Sequence, residues 1–245
     1  MKKFFTFTII SSFLFSCNTK PQHDFPVQMR YWTPKEYDYV ISEVKYAYEE
    51  DEKPPSLTHD PNVFLKLADH QNFKVVLEDN TLGLNHRREV SEEFWIKFNE
   101  LASIYSITDR TDKYVYDKER AMIEMLFLDY QLSHFRIGQE MVLQSSDDAN
   151  EFYTKKTLES NYDAIVNNFK IVLDELKNKN AYSHEGQIII ADGIEKYFSQ
   201  LIRQFPDANF SPLLAKCKAV KNKIDSPEII SSIEKIIELL EKKEA

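Results

Sequence analysis

The chain has 245 residues, 42% of them hydrophobic and 29% charged, so it is long enough to bury a substantial core and too apolar for intrinsic disorder. Its 31 basic and 40 acidic residues give a net charge of −9, which argues against nucleic acid as a partner, because a phosphate backbone repels an acidic surface without a basic stripe. Only 4 glycines are present; tight hairpin turns consume glycine, so the composition points away from sheets and toward long helices.

Met1-Lys2-Lys3 is a short basic start, and Phe4 to Phe15 (FFTFTIISSFLF) is an uncharged apolar run. A membrane-spanning helix needs roughly 20 apolar residues. This run is shorter and has the length of a signal-peptide core. It ends at Leu14-Phe15-Ser16-Cys17. That tetrapeptide resembles the lipobox of bacterial lipoproteins, with a branched apolar residue three before the cysteine and a small residue immediately before it. The resemblance covers only the N-terminal segment through Cys17. It implies that the Cys17 thiol carries a diacylglyceryl group, with palmitate-type chains, and that the signal peptide is removed so that Cys17 becomes the first residue. One acyl chain holds a protein to a bilayer marginally and two or more hold it stably, so the membrane is an expected partner through the N-terminal lipid. In Gram-negative lipoproteins an aspartate after the cysteine favours inner-membrane retention. Asn18 stands here instead, which implies the outer membrane, facing the periplasm of the cell envelope.

The expected organisation is a signal peptide at 1–16, a lipidated tether at 17–32 and a single helical domain at 33–245. Loss of Lys2 and Lys3 leaves 29 basic against 40 acidic residues, a net −11. With Cys17 acylated, Cys217 has no partner within the chain. Its spacing from Leu213 and Leu214 marks it as a small buried apolar residue.

Helix starts follow in order. Thr33-Pro34-Lys35-Glu36 combines an N-cap, a proline at the first helical position and a capping-box glutamate. The cap-then-proline pattern recurs at Asp60-Pro61, Ser211-Pro212 and Ser226-Pro227. Behind these starts apolar residues step at the helical period. The stripes are Tyr37, Val40, Ile41, Val44 and Tyr48; then Phe94, Phe98, Leu101 and Tyr105; then Tyr162, Ile165, Val166, Phe169, Val172, Leu173 and Leu176. They continue with Ile190, Ile194, Tyr197, Phe198, Leu201 and Phe205, and last with Ile229, Ile233, Ile236 and Leu240. The stretch from about 112 to 143 differs: Met122, Ile123, Met125, Leu126, Phe127 and Leu128 are apolar nearly all round, which places this helix at the centre of the bundle. Residues 72–80 fit either a strand or a helical turn. The predicted fold is all-α, an irregular bundle of about seven to eight helices around that central helix.

Candidate sites are few. The six histidines show no metal-ligand spacing, so neither a metal nor another cofactor is expected. Asp129, His134 and Arg136 interrupt the central apolar helix and form a possible buried polar cluster. A structural ion pair is the ordinary reading of such a cluster and an active site the sharper one. His86, Arg87 and Arg88, in the predicted loop Leu82–Arg88, concentrate positive charge in an acidic chain and are candidates to receive an anion or a partner's carboxylate. Tyr39 and Tyr46 lie opposite the core stripe of the first helix, where exposed tyrosines suit a protein interface. There is no G-x-S-x-G elbow and no glycine-rich phosphate loop. The sequence therefore leads to a lipid-anchored envelope protein with a non-catalytic role in binding a macromolecule, a protein partner, in the manner of an immunity protein or inhibitor. The alternatives are a small-ligand-binding lipoprotein with an apolar cavity beside the central helix, or an enzyme with a site at Asp129, His134 and Arg136.

Overall fold

The structure is a computed structural model and describes residues 23–49, 53–106, 114–144, 148–206 and 208–244. The segment read as a signal peptide, and Cys17 with it, lies outside the described residues. Those described are all-helical, with no strand among them. In chain order the helices are α1 (Pro34–Glu49), α2 (Pro61–Leu67), α3 (Gln71–Leu77), α4 (Leu84–Tyr105), α5 (Asp117–Gln144), α6 (Asp148–Glu175), α7 (His184–Gln204), α8 (Ser211–Lys221) and α9 (Pro227–Glu244). None of them is long and apolar enough to cross a membrane.

Local chemistry accounts for the boundaries. At α1 the Glu36 carboxylate accepts the Thr33 backbone N–H at 2.9 Å and the Thr33 hydroxyl as well, which closes the expected capping box. Ser183 caps α7 by accepting the Gly186 N–H at 3.2 Å. The ambiguous stretch at 72–80 is helical as far as Leu77 and a turn beyond it; Phe73 and Leu77, four apart, are the apolar side chains that the helix buries. The predicted loop Leu82–Arg88 is corrected: Leu84 onward forms the first turn of α4. Gly83 stands at its N-cap with no side-chain bond, so the usual start signal is missing from the sequence.

Helix α5 packs against α3, α4, α6 and α7 and divides two hydrophobic cores. One core takes Tyr37, Phe64, Phe73, Phe94, Phe98 and Tyr105 from the N-terminal helices. The other takes Phe169, Ile190, Ile194, Phe198, Leu213 and Ile236 from α6 to α9. The all-round apolarity of α5 resolves into two opposed stripes. Ile123, Leu126, Tyr130 and Ile137 face the first core, while Ala121, Met125, Leu128, Leu132 and Phe135 face the second. At 3.6 residues per turn these sets lie roughly half a turn apart. Two glycines of α7 let it approach α5 closely. A Cβ on Gly193 would fall 2.1 Å from the Met125 sulfur, and one on Gly186 would fall 2.6 Å from Asp117 Oδ2.

Packing also reaches back before Thr33, into the segment expected to be tether. Trp32 is fully buried; its backbone N–H donates to Asn72 Oδ1 at 2.8 Å and its indole N–H to the Pro26 carbonyl at 2.9 Å. Phe25 packs on the same core, and His23 Nδ1 lies 2.8 Å from Glu43 Oε2. Trp32 brings a large ring and a single donor, and both find their match only inside the fold.

Candidate functional site

Between its apolar stripes, α5 carries two polar edges. The first faces α3 and α7. Asp129 is only 2% exposed, and its Oδ2 accepts from His70 Nδ1 and from the Lys74 ammonium, each at 2.7 Å. The Tyr197 hydroxyl lies 3.3 Å from the same His70 nitrogen, with the two rings stacked. Burial alone would raise the Asp129 carboxyl, but the hydrogen bonds from His70 and Lys74 outweigh it and hold the group below the ordinary carboxylate range. Farther along, Ser133 Oγ donates to Glu78 Oε1 at 3.1 Å, and Arg136 approaches that oxygen at 3.9 Å. Arg87 is buried. It donates from Nε and Nη2 to the Leu77 carbonyl at 2.9 and 2.7 Å and from Nη1 to Glu140 Oε2 at 2.6 Å. Along this edge three paired groups hold α3, the turn after it and α4 to α5.

The second edge faces α4 and α6. His134 Nδ1 lies 2.8 Å from Ser91 Oγ, and its ring packs on Trp95 and Tyr130. Burial depresses the imidazole, which favours its neutral form. A serine within bonding distance of an imidazole has the spacing of a nucleophile and its base. Here, though, Ser91 is 0% exposed, so no substrate carbonyl reaches it.

Beside that pair a groove of about 200 Å³ opens between α5 and α6. Its walls are Phe127, Leu128, Ile171 and Val172, and its polar groups are Glu124, Gln131, Asn168 and Glu175. Asn168 Nδ2 donates to Gln131 Oε1 at 3.0 Å, which leaves the Gln131 Nε2 donor buried without a partner. Glu124 accepts the Tyr182 hydroxyl on Oε1, while its Oε2 is likewise buried and unpartnered. The Arg120 guanidinium lies 4.0 Å over the Tyr182 ring, donates to the Ala181 carbonyl at 2.6 Å and lowers the Glu124 carboxyl through its charge, while its own Nε is buried without a partner. Burial pushes the Glu124 carboxyl up to about 7; the Tyr182 hydrogen bond opposes the rise and the charge of Glu175 adds to it. An unsatisfied buried polar atom costs roughly 1–3 kcal/mol, so two at one groove mark a place where the fold alone does not satisfy its own groups.

A wider groove of about 520 Å³ lies between the α6–α7 and α8–α9 turns. Its polar rim pairs with itself or its neighbours: Lys179 with Asp225 at 2.8 Å, His184 with Glu228 at 3.2 Å, and Gln187 with the Leu176 carbonyl at 3.0 Å.

No family model, no curated protein and no solved structure matches the chain. The site is therefore read from its own chemistry.

The residues singled out in the sequence are largely dispersed. Asp129, His134 and Arg136 do not form one cluster, because one helical face cannot hold all three: Asp129 turns to His70 and Lys74, His134 turns to Ser91, and Arg136 is exposed beside Glu78. His86, Arg87 and Arg88 also separate. His86 is exposed, Arg87 is buried as a clamp, and Arg88 pairs with Glu92 at 3.4 Å one turn on. Tyr39 and Tyr46 are exposed on α1 at 43% and 53%. Cys217 is buried, and burial pushes its thiol up to about 12, which suits an inert core residue. Among the described residues no three His, Cys, Asp or Glu side chains gather as a metal ion would require.

Sequence reading missed His70, Lys74, Glu124, Gln131, Asn168 and Glu175. One signal was available: Glu124 and Gln131 stand seven apart on α5, as do Asn168 and Glu175 on α6, so each pair shares a face of its helix.

Proposed function

We propose that this chain is a lipid-anchored binding protein of the bacterial cell envelope, held through Cys17 and facing the periplasm, which takes a small ligand into the groove between α5 and α6. The observation that carries this reading is the groove itself, an apolar wall of Phe127, Leu128, Ile171 and Val172 with Glu124, Gln131, Asn168 and Glu175 as its polar lining. A pocket with a few convergent polar groups on an apolar lining is the usual form of a small-molecule site. Ile171, 52% exposed at the rim of the groove, gives the test. Native mass spectrometry after incubation in envelope extract should show a small adduct on the wild-type chain that Ile171→Trp excludes. An adduct indifferent to that substitution, or none at all, counts against the reading. The anchor is tested separately: labelled palmitate should enter the wild type and not Cys17→Ala.

A second reading keeps a protein partner, as for an inhibitor or immunity protein. What favours it is the exposed pair Tyr39 and Tyr46 on α1. A photo-crosslinker placed at Tyr39 should trap one discrete envelope protein if this face is an interface.

A further inference from the structure

We propose that the Tyr39–Glu43–Tyr46 face of α1 rests on the bilayer surface, its two tyrosine rings seated among phospholipid headgroups, so that the anchored domain presents one fixed side to the membrane and turns its second core away from it. The proposal rests on the lipid anchor at Cys17 and adds an orientation to it.

The path of the chain comes first. Tyr39, Glu43 and Tyr46 are spaced four and three apart, so they form one stripe along α1, and Ser42 lies on it as well. The two tyrosines are exposed and no neighbouring helix covers them. His23 sits at the middle of this stripe, with its Nδ1 2.8 Å from Glu43 Oε2. From there to α1 the chain is fixed by packing. The His23 ring stacks on Phe25, the Pro26 carbonyl accepts the Trp32 indole N–H, and Trp32 is fully buried. The span expected to act as a tether therefore shortens to the six peptide steps from Cys17 to His23. Fully extended, six steps reach about 20 Å at most.

That reach decides what lies against the face. The headgroup layer alone takes up roughly 5–8 Å of it. A folded partner of about 100 residues is roughly 30 Å across, too wide for the gap that remains. A bilayer surface needs no gap. Tyrosine suits such a surface, because its ring is apolar and its hydroxyl polar, which places it at headgroup level. Charge does not oppose the contact. Asp38 is paired with Lys97 at 2.5 Å, Glu100 with Lys45 at 2.9 Å, and Glu43 with His23. Val27 and Met29, in the packed segment between His23 and α1, expose further apolar surface.

The test uses the full acylated chain in vesicles of phosphatidylethanolamine and phosphatidylglycerol, a fraction of whose headgroups carry a nitroxide quencher. A fluorophore is attached at Ser42→Cys on the α1 stripe, which leaves both tyrosines in place, or for comparison at Ile171→Cys on α6 or Leu239→Cys on α9; all three positions are exposed, and the buried Cys217 stays unlabelled. Quenching at position 42 should exceed that at 171 and 239 by about threefold or more. Tyr39→Ser combined with Tyr46→Ser should cut that excess by about half or more. Equal quenching at the three positions, or an excess indifferent to the tyrosine substitutions, overturns the orientation, while acyl chains found by mass spectrometry leave the anchor standing. A photo-crosslinker at Tyr39 should yield lipid adducts; one discrete protein adduct assigns the face to a protein partner and overturns the proposal. A mature chain without acyl groups removes the anchor reading, and the orientation falls with it.

Discussion

The two polar edges of α5 present the same problem, charge buried beside an apolar helix, and solve it differently. On the edge facing α3 and α7, Asp129 receives two donors, Ser133 and Arg136 converge on Glu78, and Arg87 bridges Glu140 and the Leu77 carbonyl. On the edge facing α6, Glu124 and Gln131 each keep an atom with no partner. A paired network stiffens the fold, whereas an unpaired one is a standing cost that a ligand or a bound water can offset. The difference separates the part of the molecule that holds its shape from the part suited to receive something.

The largest expected effect breaks the paired edge. Asp129→Ala strands His70 and Lys74 at the seam and should lower unfolding free energy by about 3 kcal/mol, read from denaturant midpoints. The open edge should respond with the opposite sign. Glu124 is raised in the folded state, so between its ordinary value of 4.5 and about 7 the folded chain binds more protons than the unfolded one, and stability falls as pH rises through that window. Glu124→Gln should therefore flatten stability between pH 5 and pH 8 and gain about 2 kcal/mol at pH 8. A loss at pH 8 in thermal melts would place Glu124 with the paired edge instead. Gly193→Ala tests the spine both edges share: the Met125 side chain must shift, at a cost of about 1–2 kcal/mol by chemical denaturation. Smallest is Ile171→Ser at the rim, which should cost about 1 kcal/mol or less, since roughly half of the residue is already exposed.

Much of the fold was legible because its signals are local. Thr33 and Glu36 lie one turn apart and bond as their spacing requires. The apolar stripes read in α4, α6, α7 and α9 supply most of the residues those helices bury in the cores. The central position of α5 followed from its unbroken apolar surface, although its division into two stripes depends on which neighbours surround it. The sites were less legible because their partners are remote. Asp129 meets His70 across 59 positions, and Gln131 meets Asn168 across 37. No spacing rule reaches that far, so Arg136, seven residues from Asp129 along one helix, looked like its natural partner.

Because α5 serves as a party wall between two cores, neither half of the chain is complete without the other. A product ending at Gln144 would keep its N-terminal core yet leave Met125, Leu128, Leu132 and Phe135 uncovered along one flank. Such a greasy strip seeks cover from its own copies, so the truncated chain should self-associate, and unfolding of the intact chain should run as one concerted event across both cores.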